Sequence, residues 1–219
     1  MTRIWLIILL ALGAPSVAQE SVAPPTGLIG RVGTSSTCSA FLVGREYVVT
    51  AAHCLSPKRD GYHFRLGVED SVTDTFAIER FLRHPRYQTS MTPILKQRYD
   101  MALAQLATPV PEGLGPVIPV GEPAQVGETL YMESWRRHVS DLPQRRPCEV
   151  LGGADAFQVT LACKVVKGES GAPVFRFGPD GPEFVAVVTA KAVYQGTPVA
   201  LAASAEHHFG LIEAFALGD

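Results

Sequence analysis

Tyr47-Val48-Val49-Thr50-Ala51-Ala52-His53-Cys54 reads as a short strand running into a histidine. Aromatic and β-branched residues fit an extended, pleated chain. The two alanines let the backbone turn tightly and present the imidazole to a cleft. A lone histidine in such a place is more often structural than reactive. Its weight therefore depends on what the rest of the chain carries.

Similar short apolar or alternating runs recur on both sides of this stretch. In the first half they fall at residues 39–43, 47–51, 63–68, 76–82 and 102–106. In the second half they fall at 129–135, 148–151, 156–163, 172–177, 184–190 and 199–203. Short strands at this spacing, with turn residues between them, predict an all-β barrel or sandwich. Between the halves, residues 109–123 carry Pro109, Pro111, Pro116, Pro119 and Pro123 with glycines among them. Such a segment makes a stiff, extended crossover. It divides the chain into domains of 28–115 and 116–219. Residues 204–217 form the one good helix, with Ser204 as N-cap, Glu206 in the first turn and an apolar face of Leu211, Ile212, Ala214 and Phe215.

Charged residues are 18% and hydrophobic residues 47% of the 219, so a buried core is expected and global disorder is not. A net charge of −2 gives no reason to expect nucleic acid or an acidic membrane surface as partner. At the start, Arg3 precedes an apolar run over residues 4–12, and Ser16-Val17-Ala18 supplies small residues where a signal peptidase reads. Residues 1–18 are thus expected to be a signal peptide and 19–27 a loose leader. The run is too short to span a bilayer comfortably, so no stable membrane insertion is expected after its removal. The product would be exported, to the periplasm or outside the cell. The four cysteines suit an oxidising compartment, and by count alone they allow three pairings.

Two further strings give His53 its partners. In Tyr99-Asp100-Met101-Ala102-Leu103 a carboxylate stands at the mouth of an apolar strand. Burying it there is expensive unless it is hydrogen-bonded, and an imidazole Nδ1–H is a natural donor. Asp60, Asp70 and Asp74 are rivals, but none precedes a comparable strand. In Gly168-Glu169-Ser170-Gly171-Ala172-Pro173 a serine lies between residues that permit a tight turn. A serine hydroxyl is a weak nucleophile until a base takes its proton. His53 would be that base, Asp100 its orienting partner and Ser170 the nucleophile. Gly168 permits a backbone that aims its N–H and that of Ser170 at one spot, which is what an oxyanion hole needs.

The order His…Asp…Ser, and all three strings, resemble the trypsin/chymotrypsin-like serine peptidases over residues 28–215. The spacing is most similar to the compact bacterial secreted members, including the glutamyl endopeptidase-like group. The resemblance implies two six-stranded Greek-key β-barrels packed together, with a C-terminal helix. It implies disulfides Cys38–Cys54 and Cys148–Cys163, no metal and no cofactor. It also implies a serine endopeptidase, acting as a monomer on polypeptide substrates. A catalytically silent binding protein on the same scaffold, or an esterase-like activity, are the competing readings.

The same resemblance bears on specificity and activation. Lys164, six residues before Ser170, would lie at the base of the primary pocket, with Thr189, Ala190 and Lys191 beside the substrate backbone. Two lysines there would favour acidic substrate side chains. A Lys164 that reaches solvent would instead leave a pocket for small apolar groups. Thr189 is expected to hydrogen-bond Asp100. In zymogen-type relatives an aspartate at the position of Glu169 pairs with a new N-terminal amine after cleavage. Arg31-Val32-Gly33 faintly resembles such a cleavage site, but it lies too near Cys38 to leave room for a first strand. Residues 27–32 are therefore expected to be that strand, and Glu169 to find a local partner. The remaining features read as bland. His84-Pro85-Arg86-Tyr87 is a surface loop, His207 and His208 are no metal site, and Glu69, Asp70 and Glu79 are too weak a calcium signal. Arg136-Arg137 and Arg145-Arg146 flank an exposed loop.

Overall fold

The computed structural model describes residues 25–31, 37–68, 71–89, 92–114, 118–135 and 143–217. The expected signal peptide, Glu69, Asp70, Arg136 and Arg137 lie outside the described residues. Two closed six-stranded barrels form, both antiparallel. The first contains β1 (Thr26–Arg31), β2 (Thr37–Leu42), β3 (Tyr47–Thr50), β4 (Tyr62–Val68), β5 (Ser71–Arg83) and β6 (Ala102–Leu106), in the order β1-β2-β3-β6-β5-β4. The second contains β7 (Thr129–Ser134), β8 (Gln144–Asp155), β9 (Gln158–Leu161), β10 (Pro173–Gly178), β11 (Gly181–Tyr194) and β12 (Thr197–Ser204), in the order β10-β11-β12-β9-β8-β7. A helix, α3 (Glu206–Leu217), follows the last strand. Closure leaves neither sheet with an open edge.

Strand alternation explains why β2, β3 and β6 read as continuous apolar runs. Successive side chains point to opposite faces. Ala40, Val48, Ala102 and Ala104 fill the first barrel. Their neighbours Phe41, Val49, Met101 and Leu103 point outward, into a core shared with Phe184, Val187 and Ala203 of the second barrel. Both faces are buried, so both are apolar. Phe41 and Phe184 meet across this seam with ring centroids 4.7 Å apart in an edge-on arrangement. Fully burying a phenylalanine is worth about 1.5–3 kcal/mol, so this pair helps to fix how the barrels sit together.

Several local expectations need correction. Ser204 does not cap the helix. It ends β12, where its N–H donates to Phe157 O, and Ala205 O accepts the first helical bonds from His208 and Phe209. Barrel closure outweighs the capping preference. Ala214 is exposed rather than on a buried face, and the side chains of Leu211, Ile212 and Phe215 lie outside the described set. The segment from His84 onward is not a plain surface loop. It holds two short helices, α1 (Pro85–Thr89) and α2 (Pro93–Arg98), and His84 itself is buried. Arg145 and Arg146 lie within β8 on opposite faces; Arg145 is exposed and Arg146 half-buried, and each is paired with a buried glutamate.

Candidate active site

β3 delivers His53. Ala51 and Ala52 are fully buried, one facing the seam and the other the first barrel, so a larger residue at that bend would have to displace packed neighbours. The chain then makes a single 3₁₀ turn over Ala52–Cys54, and a Cys38–Cys54 disulfide ties the turn back to β2. His53 stays partly open, with 37% of its side chain exposed.

Asp100 follows α2 and enters β6. It is buried, and each of its oxygens takes a different donor from one residue. The His53 backbone N–H donates to Oδ1 at 2.8 Å, and His53 Nδ1 lies 2.7 Å from Oδ2. A carboxylate offers acceptors only, so this contact assigns the proton to Nδ1 and leaves Nε2 as the accepting nitrogen. Burial works to lower the His53 pKa, but the hydrogen bond and charge of Asp100 outweigh it. The net result lies above the ordinary 6.5.

Ser170 sits in a turn whose flanking glycines adopt φ of +102° (Gly168) and +82° (Gly171), the left-handed region that glycine alone enters freely. Ser39 pins the turn. Its N–H donates to Ser170 O at 2.7 Å and its hydroxyl to Gly168 O at 3.1 Å. With both carbonyls taken, the N–H groups of Gly168 and Ser170 have no protein acceptor among the described residues. Gly171 packs directly on the stretch that leads to His53: a Cβ there would lie 2.1 Å from Ser39 O, 2.3 Å from Thr50 Oγ1 and 3.1 Å from Ala51 N. Ser170 and His53 are therefore carried on backbone segments in contact. Sequence reasoning missed Ser39. Its only signal is a small polar residue inside an otherwise apolar strand.

A family model for trypsin matches residues 17–204 of the chain. The chain belongs to the trypsin family. Among curated proteins it is 30% identical over 139 residues to rat transmembrane protease serine 7, covering 58% of this chain and 16% of that protein. It is 35% identical over 88 residues to baboon (Papio hamadryas) chymase, covering 36% of this chain and 35% of the relative. Human granzyme M is 38% identical over 74 residues, covering 33% and 27% respectively. The chain thus spans only a fraction of each relative's length, and these relatives are animal proteases.

In this trypsin-family chain the expected pocket residues lie on β11 and on the segment between β9 and Ser170. β11 runs along the nucleophile turn, with Gly171 N–H donating to Val188 O at 2.7 Å. Thr189 follows at a bulge and is buried, but its hydroxyl donates to Leu201 O at 3.1 Å rather than to Asp100. Ala190 is half-buried, and Lys191 and Lys164 both expose their side chains. Cys148–Cys163 ties β8 to the start of the Lys164 segment. Among the described residues, the one cluster with metal-ligand chemistry is Cys38, His53 and Cys54, and both sulfurs are used in a disulfide. No helix among the described residues is long and apolar enough to cross a membrane.

Behind Asp100 lies an aromatic cluster that the sequence did not announce. His84 stacks on Tyr99 at 5.0 Å, and His208 meets His84 edge-on at 4.8 Å. His208 is fully buried. Burial and the neighbouring His84 push its pKa down to about 4, against a weaker upward pull from the backbone of Arg98 and Phe157. The unfolded chain has an ordinary histidine, which takes a proton as pH falls below 6.5. The folded chain resists that proton until about 4. The stability this residue supplies is therefore complete above 6.5 and lost as pH falls toward 4, by about 3 kcal/mol. Urea unfolding at a series of pH values should show His208→Phe removing part of that slope. An unchanged slope would contradict the assignment.

Proposed function

We propose that this chain is a secreted serine endopeptidase that hydrolyses peptide bonds through an acyl-enzyme intermediate. The observation that carries the reading is the two-point grip of Asp100 on His53, on a segment packed against the Ser170 turn. In the proposed cycle, Ser170 Oγ attacks the substrate carbonyl carbon while His53 Nε2 takes the hydroxyl proton. Asp100 stabilises the imidazolium and keeps its tautomer. The N–H groups of Gly168 and Ser170 hold the developing oxyanion. The C–N bond then breaks, and the leaving amine takes the proton from Nε2. Water, deprotonated by His53, releases the acyl group by the same path in reverse.

Three finer points belong to the same proposal. The working halves are residues 28–115, with His53 and Asp100, and 116–219, with Ser170. Residues 1–18 direct export, to which the two disulfides are suited. Lys164 and Lys191 favour an acidic side chain at the cleaved position, as in the glutamyl endopeptidase-like group, only where their exposed side chains turn toward it on binding; with Lys164 in solvent the pocket suits small apolar groups.

A fluorogenic peptide library tests this reading. Wild-type protein should cleave it, and Ser170→Ala should lose about 10⁶-fold in kcat. A preference for Asp or Glu before the scissile bond would show the lysines turning to the substrate, and a preference for small apolar residues would show Lys164 staying in solvent. Equal turnover by the two proteins would sink the mechanism. Preferred cleavage after Arg or Lys would sink the role given to Lys164 and Lys191. A folded wild-type chain that cleaves nothing would favour a binding protein on this scaffold.

A further inference from the structure

Glu169, next to the nucleophile, is fully buried, yet it is held as a carboxylate. Its Oε1 accepts from Arg146 Nη1 at 2.8 Å and from the Ser134 hydroxyl at 2.7 Å. Its Oε2 accepts from the Val166 N–H at 2.6 Å. Burial works to raise its pKa, but Arg146, Ser134 and the Val166 amide together bring it below the ordinary 4.5. The same guanidinium reaches the far end of the loop, where Nη2 donates to Lys164 O at 3.2 Å. One side chain on β8 therefore grips both ends of the 164–169 segment. β8 is rigid at this point, paired with β7 through Met132–Arg146 and its neighbours and bonded covalently through Cys148–Cys163.

We propose that Arg146 is the positioning residue that keeps the Gly168–Ser170 turn ready for reaction in the uncut chain, so that no new N-terminus is needed to activate it. The proposal rests on the peptidase reading above. Two further observations support it. Charge balance is the first. Arg146 already neutralises Glu169, and burying a second cation beside this pair is costly unless it brings its own partner. The second is the location of Arg31. It ends β1, which pairs with β2 on one side and β4 on the other, Arg31 itself lying opposite Tyr62. Thr26 also ties this strand to the second barrel, its hydroxyl donating to Glu133 at 2.8 Å. A protease would have to peel Arg31 away from its β4 partner to cut after it.

The sequence hid this role because Arg145-Arg146 looks like a solvated pair. Period-two alternation separates them, sending Arg145 to Glu133 and Arg146 to Glu169.

Three measurements on the whole protein test the proposal. Wild-type protein with the 31–32 bond intact by mass should form a fluorophosphonate adduct on Ser170, and Arg31→Gln should react at the same rate. Arg146→Met should lower kcat about 100-fold or more with a smaller change in KM, because the affected amides act on the transition state. It should also speed hydrogen exchange at the Val166 amide, and Arg146→Lys should restore part of both. Should Arg146→Met fail to fold, Ser134→Ala removes one donor to the same oxygen and should give a smaller drop in the same direction. An adduct that forms only after a cut at Arg31 overturns this proposal and leaves the peptidase reading standing. Wild-type rate and Val166 protection in Arg146→Met likewise overturn it alone. No adduct before or after the cut sinks both.

Discussion

Asp100→Asn should lower kcat by about 10⁴-fold while leaving the fold intact. The two oxygens of Asp100 serve two donors of His53, the backbone N–H and the ring Nδ1. An asparagine has one accepting oxygen and one donating NH₂. If its oxygen keeps the backbone N–H, its NH₂ faces Nδ1, which must then give up its proton. The proton moves to Nε2, and the nitrogen that the proposed cycle uses as its base can no longer accept a proton. The pH profile should change as well. His53 must be neutral to accept a proton, and its pKa is raised above 6.5 by Asp100 against the opposing effect of burial. Wild-type kcat/KM should therefore rise with pH through a limb above 6.5, and that limb should move to lower pH in the variant. A loss of less than tenfold, with an unmoved limb, would remove Asp100 from the machinery.

Gly171→Ala should damage stability and activity together. The added methyl would sit 2.1 Å from Ser39 O and 2.3 Å from Thr50 Oγ1. Neither oxygen can retreat easily. Thr50 Oγ1 donates to Ser39 O at 2.8 Å, and Ser39 N–H holds Ser170 O at 2.7 Å. Left-handed backbone adds about 1–2 kcal/mol for a residue with a Cβ. Overpacking adds about 1–3 kcal/mol more. An ångström of displacement at Ser170 costs on the order of 100-fold in rate. Gly196→Ala is the control. It shares a φ of +80° but has open space around the would-be Cβ, so only the backbone cost applies. Equal urea midpoints for the two variants would mean that the contact between the Ser170 turn and the His53 strand is not tight.

Much of the fold was legible because its seam is apolar on both strand faces. Residues 39–43, 47–51 and 102–106 read as strands for the same reason that they pack both barrels. Longer strands were not legible. β8 begins at Gln144, among charged residues that look solvated until Glu133 and Glu169 are seen to receive them. The helices after His84 were hidden by prolines that suggested turns. Pro93 instead opens α2, where its missing N–H costs nothing, and Thr92 caps the helix by accepting from Leu95 N–H. In the site, His53, Asp100 and Ser170 stood out because small and apolar neighbours framed them. Ser39, Ser134 and Arg146 did not, since each acts through a partner 35 or more residues away or through a strand face that sequence alone cannot orient. The Thr189 expectation failed for a local reason. The bulge after Val188 points its hydroxyl at the neighbouring strand β12.

The pH dependence of fluorophosphonate capture at Ser170 tests the account most directly, because it needs no knowledge of the substrate. The second-order rate should climb through a single ionisation above 6.5, the adduct should map to Ser170 alone, and His53→Ala should abolish the climb. A rate indifferent to pH, or an unchanged rate in His53→Ala, would mean that the imidazole never reaches the hydroxyl.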